Sequence, residues 1–197
     1  MPQQRTLRLV HDATAPPRPQ LVPNSVFGIV IFVIAEAMLF AGLISAFTIV
    51  RAGAVVWPPP GQPRLPAETT ALNTAALLLS GALLVLAQRR FRESRAQAHR
   101  LLLAAILLGA FFVVFQGAEW LALIREGLTL TSSTHGSFFY LIVGMHALHA
   151  IAALAALGYA WFLLVQRRLR AGTFLAVQIF WYFVVGIWPI LYLRVYL

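Results

Sequence analysis

The sequence predicts an all-α integral membrane protein, a bundle of five transmembrane helices, and three observations carry that prediction. Hydrophobic side chains make up 60% of the 197 residues and charged ones 11%, whereas a soluble domain holds about 45–50% apolar and about 25% charged residues. The mean hydropathy is +0.81, so too few polar side chains remain to cover a water-facing surface. The apolar residues also fall into five runs, each near the ~20 residues that cross the hydrocarbon core as a helix. Finally, the arginines collect in alternate connections between those runs, the asymmetry expected of a multi-span protein. Helices follow because every backbone amide in lipid must be paired internally, and the alternating strands of a membrane barrel are absent.

Residues 1–25 are polar, with Pro16, Pro17, Pro19 and Pro23 close together. They lack the apolar core and small-residue cleavage site of a secretory signal, and read as a retained, flexible cytoplasmic tail. Residues 26–197 form the membrane domain. Its first span, 26–50, is interrupted only by Glu36, and Trp57-Pro58-Pro59-Pro60 then makes a rigid outer turn with Trp57 at the headgroups. The second span, 69–86, is uncharged and short, and is expected to borrow a residue or two at each end. The third, 101–124, contains Gln116 and Glu119. The fourth, 138–165, contains His146 and His149 and is long enough to tilt or to project from the lipid. Its small residues, Gly144, Ala147, Ala150 and Ala153 among them, suit close helix approach. The fifth, 174–193, is uncharged and aromatic, and its outermost rings suit the interfacial belt.

All 15 basic residues are Arg, giving a formal charge of +9. Eleven lie in the tail, the 87–100 connection and the 166–173 connection, against Arg51, Arg64, Arg125 and Arg194 on the other side. The positive-inside rule places the N-terminus in the cytoplasm and the C-terminus in the periplasm. These arginines read as topology signals and contacts to anionic headgroups, with a docking surface for a partner as the alternative. Having no cysteine, the chain holds no disulfide, thiolate metal site, iron–sulfur cluster or cysteine nucleophile.

Few groups remain to carry chemistry. Glu36 lies about 15 Å into its span by helical rise, where a charged carboxylate is costly and ionisable groups are candidates for proton or ion handling. The alternative is a protonated carboxyl bonded to a neighbouring helix. Gln116 and Glu119 share a face of the third helix, and His146 and His149 a face of the fourth. Their depths predict a Glu119–histidine contact holding the two helices together. Two histidines three apart cannot take both axial positions of one haem, and the four Glu and paired Glu-x-x-His of a di-iron bundle are missing. A single zinc or copper site from His146, His149 and Glu119 is the metal alternative. Structural polar pairing is the better fit, so no metal ligand and no catalytic residue is expected.

Six pieces in order carry a resemblance. They are Ala35-Glu36 with Leu39-Phe40; Trp57-Pro58-Pro59; Leu72-Asn73-Thr74 with Ser80; Gln116-x-x-Glu119-Trp120; Gly136-Ser137-x-Phe139 with Gly144-Met145-His146-x-x-His149; and Trp181-Tyr182-Phe183 with Trp188 and Leu191-Tyr192. The chain resembles the cytochrome c oxidase subunit III family of haem–copper oxidases, in its five-helix form without the two leading helices of the seven-helix form. It departs from the family at Tyr182 and Val185, where His and Asp are usual.

The resemblance implies a non-catalytic subunit of a terminal oxidase in aerobic respiration, in the bacterial plasma membrane. It would pack beside catalytic subunit I, together with subunit II, stabilise the catalytic subunit, and support proton uptake or oxygen access. Haem and copper would sit in the partner subunits, and phospholipid would bind in the family's cleft, which the missing helices leave partly open here or closed by another chain. Glu36 matches the family's carbodiimide-reactive carboxyl. Quinol oxidases and accessory proteins of nitric oxide reductases share the five-helix form and are alternatives. A stand-alone proton or ion transporter is the alternative of another class, against which the lack of an inverted repeat or broken helix argues.

Overall fold

The computed structural model describes residues 23–197; all but the last three residues of the expected tail, with Arg5, Arg8, Arg18 and His11, lie outside the described residues. Five helices follow in order: α1 Asn24–Gly53, α2 Ala67–Phe91, α3 Arg95–Arg125, α4 Thr134–Val165 and α5 Ala171–Leu191, closed by a π-helical turn at Tyr192–Tyr196. All five are long and apolar enough to cross a membrane, and no strand occurs among the described residues. The largest departures from the sequence spans fall in the 87–100 connection, where α3 starts at Arg95 and α2 runs for 25 residues to Phe91. Gln88, Arg89 and Arg90 are good helix formers whose polar heads reach water, so the helix continues past the apolar run.

The helix ends are set locally. The Ser94 hydroxyl accepts the Gln97 N–H at 3.4 Å to start α3, and Ser133 accepts the Gly136 N–H at 3.0 Å to start α4. Both helices stop in the same six-residue wrap. After α3, Gly127 N–H reaches the Ile124 carbonyl and Leu128 N–H the Leu123 carbonyl; after α4, Arg167 N–H reaches Leu164 and Arg168 N–H reaches Leu163. The turning residue has φ +94° at Gly127 and +59° at Arg167. Glycine takes that conformation freely, while a side chain there costs about 1 kcal/mol.

Packing centres on α5, which contacts α1, α2 and α4, while α2 and α3 share the most extensive helix pair. Lipid is as apolar as leucine, so close fit and hydrogen bonds hold such a bundle rather than the hydrophobic effect. Trp181 and Trp188 of α5 are fully buried and cross to α2, donating to Ser80 Oγ at 3.2 Å and Thr74 Oγ1 at 2.8 Å. Each hydroxyl passes its own hydrogen on, Ser80 to the Ala105 carbonyl and Thr74 to the Thr70 carbonyl, both at 2.7 Å. The Trp181 ring lies so close to α3 that a Cβ on Gly109 would come within 2.6 Å of it.

Helix α1 is different. Of its residues only Val26, Phe40 and Phe47 are buried, and Phe27, Ile31, Ile34, Met38 and Ile49 are exposed. It runs parallel to α5, with Pro23 against Gly172 at one end. At the other, the Arg51 guanidinium donates to the carbonyls of Arg194 at 3.2 Å and Leu197 at 3.1 Å. Trp57 folds its ring onto Phe47 and His135 at that same end, so it packs on protein as well as marking the boundary.

Candidate functional site

Two polar clusters interrupt the apolar interior. The first joins α1 to α4 near mid-helix. Glu36, the thirteenth residue of α1, has a side chain 19% exposed, and its Oε2 lies 3.1 Å from His149 Nε2. His149 Nδ1 lies 2.8 Å from the Met145 carbonyl oxygen. A carbonyl only accepts, so Nδ1 carries hydrogen, and in a neutral imidazole Nε2 then carries none. The Nε2–Oε2 link therefore needs a proton of its own, held as carboxylic acid with imidazole or as carboxylate with imidazolium. Both forms are neutral overall, which is what an apolar setting tolerates. That setting is aromatic: Phe32, Phe40, Phe180 and Phe183 have ring centroids 5.6–6.3 Å from that of His149. A groove of about 380 Å³ between α1, α4 and α5 starts at Asn24 and Ser25 and ends at Phe32 and Phe180.

The second cluster ties the opposite ends of α2 and α3 to the C-terminal turn. Glu119 accepts from the hydroxyls of Thr69 and of Thr70, the latter at 2.9 Å, and from Gln116 Nε2 at 3.1 Å. The same Gln116 nitrogen donates to the Tyr196 hydroxyl oxygen at 2.9 Å, and its Oε1 lies 3.5 Å from Asn73 Nδ2. Asn73 also donates to the Phe112 carbonyl at 3.2 Å. Tyr192 donates to the Ala67 carbonyl at 3.0 Å, fastening the closing turn to α2.

The expected Glu119–histidine contact is corrected by this arrangement. Gln116 and Glu119 do share a face, but it turns to α2 and the closing turn, while His149 turns to α1. Helical rise fixes depth along an axis and leaves rotation about it open. His146 is buried without a polar partner among the described residues, its ring stacked on Trp188 at 4.8 Å. Among the described residues no three His, Cys, Asp or Glu side chains gather into a metal-holding group. Asn73, Thr74, Trp181 and Trp188 all lie in the α2–α3–α5 contact, while Trp57 and Pro58 lie in the α1–α2 connection. Of the two unusual positions, Tyr182 has a buried hydroxyl without a partner among the described residues, and Val185 packs on Gly81 of α2.

Sequence reasoning did not reach Thr69, Thr70 or Tyr196 as partners of Glu119 and Gln116, nor the pairing of Glu36 with His149. A Thr-Thr pair at the start of a span, opposite a carboxyl at the end of the preceding or following one, is the signal that was available for the first.

Comparison with known proteins agrees with the motifs. The family model for cytochrome c oxidase subunit III matches residues 20–197. The chain is 33% identical over 190 residues to the probable cytochrome c oxidase subunit 3 of Nocardia farcinica (strain IFM 10152), covering 88% of each chain. It is 32% identical over 182 residues to cytochrome c oxidase subunit 3 of Lemur catta, covering 86% of this chain and 65% of that one. With the protein of the same name from Pelomedusa subrufa it is 31% identical over 194 residues, covering 90% and 71%. The chain thus spans about two thirds of the length of the animal relatives and most of the bacterial one. It belongs to the cytochrome c oxidase subunit III family, a family of accessory, non-catalytic subunits of an oxidoreductase complex.

Proposed function

We propose that this chain is the non-catalytic subunit III of a haem–copper terminal oxidase of the cytochrome c oxidase type, seated beside catalytic subunit I in a complex that includes subunit II. The family match across residues 20–197 carries the reading. Haem and copper belong to the partner subunits; this chain stabilises the catalytic subunit and supports its proton supply. Its arginine-rich end faces the cytoplasm of a bacterial plasma membrane. The lipid-level flank of α1, with Phe27, Ile31, Ile34 and Met38 exposed, is covered by phospholipid or a partner helix.

The Glu36–His149 pair is the proton-linked group in this reading. It holds one transferable proton near mid-span, and the groove from Asn24 leads toward it from the arginine-rich end as far as the Phe32 and Phe180 rings. The Gln116–Glu119 cluster is structural in this reading.

Gentle purification of the tagged chain, with a reduced-minus-oxidised spectrum of what accompanies it, tests the assembly. Haem bands with stoichiometric larger subunits are expected; a colourless chain running alone in two mild detergents would overturn the proposal. For the pair, Glu36→Gln is expected to leave assembly intact while slowing proton uptake or hastening turnover-linked inactivation. Unchanged pumping and endurance would make Glu36 structural.

A further inference from the structure

Between the later half of α3 and the middle of α4 lies a cavity of about 160 Å³. Phe112, Trp120 and Trp188 give it aromatic walls, and Gln116 and His146 are its polar groups. Val113, Gly117, Ala147 and Ile151 complete the lining and are each at least partly exposed, so the cavity opens sideways at membrane depth.

The two polar groups differ. Gln116 has committed its amide to Glu119, Tyr196 and Asn73. His146 is 1% exposed, and neither of its ring nitrogens has a hydrogen-bond partner among the described residues. Its ring is held in place by Trp188 at 4.8 Å and by the edge of Phe112 at 6.2 Å. A neutral imidazole carries one N–H in either tautomer, and buried polar groups without a partner are rare enough to call for an explanation.

Gly117 is the second observation. A Cβ there would meet nothing within 4 Å, so no close approach demands glycine, although glycine inside a helix is destabilising relative to alanine. Gly109 of the same helix differs, since the Trp181 ring leaves its Cβ no room. At position 117 the missing side chain keeps the mouth of the cavity clear.

We propose that this cavity binds the ring of a membrane-soluble quinone. One carbonyl oxygen accepts from the His146 N–H, the ring lies among the aromatic walls, and the tail leaves past Gly117 and Ala147 into lipid. The size fits, because a dry apolar cavity of about 150 Å³ takes one benzene-sized ring. The electronics fit as well: indole faces are electron-rich and a quinone face is electron-poor, so the two attract. An acyl chain would fill the same space but leave His146 unpaired. The ring is bound without electron transfer, and the site does not depend on which complex the chain joins.

The test is native mass spectrometry of the purified full-length chain, with decyl-1,4-benzoquinone or decylbenzene added in the detergent. These probes share ring and tail and differ in the two carbonyls. One equivalent of the quinone is expected to stay bound, with decylbenzene held about fivefold more weakly, the worth of one neutral hydrogen bond. Gly117→Leu should close the mouth and abolish binding of both probes while holding or raising the thermal midpoint, which separates lost binding from lost folding. His146→Phe keeps a ring beside Trp188 and should weaken the quinone about fivefold while leaving decylbenzene unchanged, a split that a merely structural histidine would not produce. Equal retention of the two probes, undiminished binding in Gly117→Leu, or equal changes for both probes in His146→Phe would each overturn the proposal.

Discussion

Glu119 and Glu36 are two carboxyls in one membrane bundle, and their surroundings differ in kind. Glu119 sits at a helix end, receives Thr69, Thr70 and Gln116, and belongs to a network joining α2, α3 and the closing turn. Glu36 lies near the middle of the least buried helix and has a single facing group, His149. Three donors satisfy an ionised carboxylate and fix it. One imidazole with its other nitrogen already committed leaves a proton shared between two bases. The number of donors, rather than the presence of a carboxyl, separates the fixed Glu119 from the singly partnered Glu36.

The largest expected effect is from Glu119→Leu. It removes an acceptor shared by Thr69, Thr70 and Gln116, leaving them only the Pro66 carbonyl and the Tyr196 hydroxyl, at about 0.5–1.5 kcal/mol for each bond lost. Loss of the folded chain from the membrane is expected; a normal thermal midpoint in detergent would break the comparison. Gly109→Ala comes next, because the Trp181 ring leaves no room for a methyl group; overpacking of this kind costs about 1–3 kcal/mol. A lowered thermal midpoint with weakened α3–α5 packing should be measured, and an unchanged one would show that Trp181 shifts freely. Thr74→Val removes the acceptor of the Trp188 indole and should cost about 1–2 kcal/mol, which thermal unfolding of the purified chain would read.

Glu36→Gln should change stability least, by less than about 1 kcal/mol, since an amide can still donate to His149 Nε2. The sharper contrast is chemical. A hydrophobic carbodiimide, which attacks a protonated carboxyl in an apolar setting, should label Glu36 in the intact chain and spare Glu119. Peptide mapping would read this, and labelling at Glu119 would erase the distinction drawn between them.

The five-helix architecture was legible because lipid imposes length and apolarity on each span, and both are written in runs of residues. The end of α2 was not, because Arg89 and Arg90 interrupt hydropathy without interrupting helix formation. The partners of Glu119 were hidden for another reason. Spacing shows that Gln116 and Glu119 share a face, but which neighbour that face meets depends on the rotation of α3, set by contacts such as Trp181 over Gly109. A phenol at Tyr196, just past the last span, suits headgroups equally well; only the closing turn brings its hydroxyl to Gln116.

The contact between Arg51 and the carbonyls of Arg194 and Leu197 joins positions 143 and 146 residues apart. At about 5–20 residues per second of synthesis, the first helix waits roughly 7–30 s before its parallel partner exists. A lone apolar helix survives that wait because its backbone is paired internally, but Glu36 spends the earlier part of it, until α4 is made, without His149, in lipid. During translation the first helix therefore holds one ionisable side chain in lipid that the chain cannot yet pair, and it is the arrival of α4, ahead of the C-terminal turn, that ends this exposure.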